Sequence, residues 1–127
     1  MITELKHGES NISVDGDIIS VIAIGAFNKA GIVNTIEQLE SVIKSFDQKK
    51  FKLLFDYSRI EGGTPDVFTK INECNIWLNN QNMVAKAVVI NSRAHLSILE
   101  KRAPARKVQK TKNFEDITTA LIWLKSQ

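Results

Sequence analysis

The chain has 127 residues, 43% of them hydrophobic and 24% charged, with a net charge of +3. That is room for one domain, and the composition excludes disordered, collagen-like and low-complexity polymers. No run of about 18 apolar residues occurs and no basic segment leads into an apolar one near Met1, so neither a membrane span nor export is signalled. The single cysteine, Cys74, leaves no intramolecular disulfide, which makes core packing the source of stability and the cytoplasm the expected compartment.

Residues 1–9 carry no clear pattern and are expected to be loosely ordered or an edge segment. Asn11–Phe27 reads as two β-branched runs around Asp15-Gly16, a hairpin turn pair, and the second run, Ile18–Ile24, is apolar enough for a central strand. Ile32, Ile36, Leu39, Val42, Ile43 and Phe46 then recur at three- and four-residue spacing, the mark of an amphipathic helix, with Asn28 and Asn34 as alternative caps. Phe51–Tyr57 resumes as a strand, so the connection is a parallel crossover of right-handed sense.

Ser58–Thr64 reads as a loop, and Thr64-Pro65-Asp66 as a helix start with a hydroxyl cap, a first-turn proline and an acid at the positive dipole end. Val67, Ile71, Cys74 and Leu78 form that helix's apolar stripe, and Val84–Ile90 is another buried strand. Ser92 caps a further helix that must stop before Pro104. The middle of Arg106–Asn113 is expected to be a short edge strand guarded by lysine. Ile117, Ala120, Leu121 and Leu124 face inward on a terminal helix. The alternation predicts one α/β domain over 1–127: a mixed, mostly parallel five-stranded sheet with an amino-terminal antiparallel hairpin and four flanking helices.

The order of elements, the strand ending Leu53-Leu54-Phe55-Asp56-Tyr57-Ser58, and the closing Phe114-Glu-Asp-Ile-Thr-Thr-Ala120-Leu-Ile-Trp123-Leu124 resemble the SpoIIAA-like group of small bacterial domains. That group is related to STAS domains, which include anti-sigma-factor antagonists, and some members are described as similar to CRAL-TRIO lipid-exchange domains. The resemblance implies non-catalytic regulatory binding. It breaks at one place: phospho-switch members resemble one another in an Asp-Ser-Ser-Gly motif before the second helix, where this chain has Glu61-Gly62-Gly63-Thr64-Pro65 and no matching serine.

Two sets of residues are candidates for recognition. Ser58, Arg59, Gly62, Gly63 and Thr64 lie beyond the carboxyl end of a parallel strand, where open α/β sheets bind ligands, and Arg59 offers a bidentate grip on an anion. The same Gly-Gly-Thr-Pro run also suits a plain strand-to-helix connection. Lys101, Arg102, Arg106, Lys107, Lys110 and Lys112 form a basic stretch without an acid, suited to a polyanion, an acidic protein surface or simple solvation. It has no interleaved aromatic residue, so nucleic acid is disfavoured. Asp56 and Glu61 are carboxylates whose spacing does not set them face to face. Cys74 and His95 fall short of a metal set, and no dinucleotide fingerprint, P-loop or nucleophile elbow occurs.

The expectation is therefore a regulatory or scaffolding interaction domain with no cofactor, no metal and no catalytic residue. It would bind a protein partner, a second copy or a small anion. The alternative is a carrier of a small apolar ligand or lipid, which requires an enclosed apolar cavity.

Overall fold

The computed structural model describes residues 5–127. The hairpin forms as the turn pair predicts: β1 (Glu9–Asp15) and β2 (Ile18–Phe27) pair antiparallel with Asp15 opposite Ile18. Gly16 sits at φ +61°, a left-handed conformation glycine adopts without a side-chain clash, so two residues suffice to reverse the chain.

Helix α1 (Lys29–Ser45) starts at Asn28, not Asn34. The Asn28 Oδ1 accepts from the Gly31 amide at 2.9 Å and from the His7 amide at 3.0 Å, and its Nδ2 donates to the Leu5 carbonyl at 2.7 Å. One side chain thus caps the helix and ties residues 5–7 to it. Gly31 is required here, because a Cβ would fall 1.9 Å from the His7 carbonyl oxygen. Of the segment expected to be loose, residues 1–4 lie outside the described residues, and Glu9 already belongs to β1.

The remaining elements are β3 (Phe51–Gly63), α2 (Pro65–Leu78), β4 (Met83–Val89), α3 (Arg93–Arg102), a 3-10 helix (Pro104–Val108), β5 (Thr111–Phe114) and α4 (Ile117–Lys125). The sheet order is β1-β2-β3-β4-β5, with β1 antiparallel and the other four strands parallel, as the alternation predicts. Strand periodicity then divides the core. Ile19, Val21 and Leu53 point to one face, where Leu39 and Ile43 of α1 and Cys74 and Leu78 of α2 cover them. Ile18, Leu54, Ala85, Ala87 and Val89 point to the other, beneath Ala120 and Leu124 of α4. A third cluster closes the upper end, with Ala23 and Phe27 meeting Ile32, Val67, Ile71 and Leu99.

Two expectations are corrected. Residues 58–63 are not a loop; they continue β3 alongside β2, with register shifts after Ile22 and Gly25 absorbing the extra residues. The chain at Pro104–Val108 is a 3-10 helix, and the edge strand waits until Thr111, where Lys86 donates its amide to the Lys110 carbonyl at 2.9 Å. Among the described residues no helix is long and apolar enough to cross a membrane.

Candidate functional site

Strand β3 has 13 residues and its neighbour β4 has seven, and pairing between them ends at Asp56 opposite Val89. From Tyr57 to Gly63 the strand is paired with β2 alone, so among the described residues its other edge has no neighbouring strand. The break coincides with a side-chain turn. Buried Asp56 accepts from the Ser58 amide at 2.9 Å and from the Ser58 hydroxyl at 2.6 Å on the same oxygen.

The candidate residues of this segment are strung out and do not converge. Ser58 belongs to the Asp56 turn, Arg59 is exposed and paired through its backbone with Ile24, and Gly62 and Gly63 lie opposite Ala26 and Phe27. The span from Ser58 to Thr64 is about 20 Å of extended chain. Thr64 stands at the cap position of α2, but its hydroxyl is turned to the Asp66 carboxylate and accepts no backbone N–H, contrary to the expected hydroxyl cap. Asp66 therefore holds the front of α2, and the helix start offers little to an anion. Asp56 is buried and engaged while Glu61 is exposed, so they make no acid/base pair.

Beside the free edge lies an apolar groove lined by Phe27, Ile60, Val67, Phe68, Ile71 and His95. Its space is about 30 Å³, and a second apolar gap bordered by Leu39, Phe55, Tyr57 and Cys74 holds about 20 Å³. Each is room for a water molecule or two and not for an acyl chain. His95 borders the first gap and Cys74 the second; among the described residues no group of three metal-ligating side chains gathers anywhere. Burial, then the charge of Glu40, pushes the Cys74 thiol up to about 12, so it is a protonated core residue. Burial likewise holds the Tyr57 hydroxyl above its ordinary range.

The basic stretch divides. Lys101, Arg102, Lys107, Lys110 and Lys112 are exposed, and Lys112 lies 5.5 Å above the Phe114 ring. Arg106 does not join them. It is 8% exposed and turns under the 3-10 helix, where its Nη2 donates to the Asn113 side chain at 3.2 Å. The helical turn rotates Arg106 inward while its neighbours Lys107 and Val108 point to solvent.

Arg106 enters a polar seam that the sequence reading missed. Lys86 of β4, 2% exposed, donates to the Asn75 side-chain oxygen of α2 at 2.6 Å. Gln109 donates to the same oxygen at 3.1 Å and to Asn79 at 2.9 Å, and the Ala105 amide donates to Asn72 at 3.0 Å. Burial, with the positive charge of Arg106 adding to it, lowers the Lys86 ammonium to about 7. Two signals were available: a lysine inside the apolar run Val84–Ile90, and Asn72, Asn75 and Asn79 at helical spacing.

No protein-family model matches the sequence, and no curated protein matches it. Solved structures do. An uncharacterized protein of the DUF3478 family from Shewanella loihica PV-4, described as having a SpoIIAA-like fold, aligns with a TM-score of 0.68 and 19% identity over 98% of each chain. An anti-sigma factor antagonist from Mycobacterium paratuberculosis gives 0.63 and 12% identity, over 98% of this chain and 99% of that one. The anti-sigma factor antagonist SpoIIAA in its unphosphorylated form gives 0.60 and 5% identity, over 90% of this chain and 94% of that one. None of these three supports the CRAL-TRIO likeness.

Proposed function

From the SpoIIAA-like fold that these structures share with the chain, we propose that it is a non-catalytic regulatory domain, at work in the cytoplasm, that recognises a protein partner. The recognition surface is the unpaired edge of β3 from Tyr57 to Gly63 together with the apolar groove beside it. That edge carries the reading. Free strand edges form main-chain hydrogen bonds with an incoming extended segment, and a neighbouring apolar groove selects its side chains. Ser58, Arg59, Gly62, Gly63 and Thr64 then act as the rim of a partner surface and not as a ligand cage. Two observations support the absence of catalysis: buried Asp56 is committed to Ser58, and Glu61 stands exposed. The carrier alternative has less support: the apolar gaps hold about 30 and 20 Å³, and the roomier hollow of about 530 Å³ is bordered by Lys44, Asp47, Gln48, Lys49, Asn80 and Asn82, polar groups ill suited to an apolar ligand.

A photo-crosslinking amino acid at exposed Glu61, compared in the native cell with one at exposed Lys125, tests this reading. A discrete protein adduct is expected at position 61 alone. No adduct, or the same adducts at both positions, would remove it.

A further inference from the structure

The seam beneath the 3-10 helix buries Arg106 and Lys86, and among the described residues no carboxylate is bonded to either. Charged side chains are almost never fully buried unless paired, because losing water costs several kcal/mol per ion. Arg106 has five N–H groups and Lys86 three. Yet Arg106 makes one hydrogen bond, to Asn113, and its buried Nε has no acceptor. Lys86 makes one side-chain bond, to the neutral amide of Asn75. The ion pairs found among the described residues, Lys52 with Asp17 and Lys70 with Glu73, lie elsewhere. Glu100 of α3 acts on Arg106 through space without forming an ion pair, and burial keeps Tyr57 and Cys74 protonated.

The geometry points to a binding site for a doubly charged oxyanion, a phosphoryl group or sulfate, held between the guanidinium of Arg106 and the ammonium of Lys86. The charge count selects the class: an anion beside Lys86 favours its protonated form, and Arg106 with a protonated Lys86 is neutralised by a dianion, whereas a single carboxylate leaves one charge uncompensated. The unbonded Nε lies on the edge with which a guanidinium grips two oxygens of an anion, and its companion Nη2 carries the Asn113 bond and one further N–H. Asn75 and Asn113 now turn their side-chain oxygens to Lys86 and Arg106, the positions that the oxygens of an anion would take.

The surroundings steer anions the same way. From residue 86 to residue 112 the chain carries eight lysines and arginines and one acid, Glu100. Five of those cations, Lys101, Arg102, Lys107, Lys110 and Lys112, are exposed, so their field concentrates anions at this end of the sheet. The 3-10 helix is tied to α2 by side-chain amide bonds, Ala105 N–H to Asn72 at 3.0 Å and Asn79 to the Ala105 carbonyl at 3.1 Å. Entry of an anion therefore requires this five-residue segment to move outward. The site is independent of the β3 edge, and either reading can fail without the other.

Thermal unfolding of the whole chain at constant ionic strength tests the assignment. Inorganic phosphate and sulfate should raise Tm with saturation, while acetate leaves it unmoved. Arg106→Met should weaken the phosphate response by about tenfold or more. Lys86→Met should do the same, and serves alone if Arg106→Met does not fold. Lys107→Gln, at an exposed position, should keep most of the response. Free phosphoserine distinguishes the sources: a shift with phosphate only assigns a free ion, and a shift with both assigns any phosphoryl group. No saturable rise in the wild-type protein, an equal rise with acetate, or an undiminished rise in Arg106→Met and Lys86→Met would overturn the site.

Discussion

Helix α2 has two flanks that face the same side of the sheet and are built on opposite principles. Toward α1 it buries Cys74 and Leu78 among Ile19, Val21, Leu39, Ile43, Phe51 and Leu53, a region without a hydrogen-bonding demand. Toward the 3-10 helix it presents Asn72, Asn75 and Asn79 to Lys86, Gln109 and the backbone at Ala105. Apolar packing is non-directional and contributes stability in proportion to the area removed from water. The amide seam depends on each bond being made, and it takes the side chains of Arg106 and Lys86 out of water, which opposes folding. One flank holds the domain together; the other costs stability and is where a binding role is concentrated.

Substitutions can break this contrast, beginning with the largest effect. Leu39→Ala should cost about 2–5 kcal/mol in denaturant titration, because Leu39 is fully buried and its loss removes apolar contacts and leaves a cavity. A loss below that of Asn75→Ala would mean the apolar flank is not the stable one. Asn75→Ala leaves the Lys86 side chain without its acceptor, removes one of several acceptors from the Gln109 amide, and should cost about 1–3 kcal/mol. A neutral result would show the seam to be well hydrated.

Next comes pH. Lys86 falls from its ordinary 10.5 to about 7 in the folded chain, so between those values the unfolded state binds the extra proton and stability rises with pH. The groups facing Lys86 and its neighbourhood are Cys74 and Tyr57, both raised, and Arg106, lowered. Cys74 and Tyr57 act oppositely once the unfolded thiol and phenol ionise, above about 9 and 10. Urea titrations from pH 7 to 9 should therefore show a gain of about 1 kcal/mol per pH unit that Lys86→Met abolishes. A flat profile in the wild-type protein would mean Lys86 is solvated. Smallest of all, Lys101→Gln and Lys107→Gln should leave the urea midpoint unchanged, because both side chains stand in solvent.

The apolar flank was legible residue by residue. Leu39, Ile43, Ile71, Cys74 and Leu78 recur at helical spacing and each is buried, as that spacing predicts. The seam was not, although its parts stood in plain view. Lys86 breaks an apolar run, but whether a strand lysine is buried or snorkels outward depends on what covers it. Arg106 sits among five other cations, and a single helical turn decides that it alone points inward. The β3 segment misled for a related reason: Gly62-Gly63-Thr64-Pro65 has loop composition, yet β2 runs on to Phe27 and supplies backbone partners as far as Gly63.

The order of strands and helices, the hairpin at Asp15-Gly16, the parallel crossovers and the buried stripes of α1 and α2 follow from the chain alone, because periodicity and turn chemistry are local properties. In α4 the expected inward face is corrected, since Ala120 and Leu124 are buried but Ile117, in the first turn, is 37% exposed. Three things were decided only by the folded arrangement: where β4 stops pairing with β3, which cation of a basic run is buried, and that a lysine and an arginine distant in sequence share one interior seam. Each depends on which surface lies across from a residue, and a face written into a sequence does not name its partner.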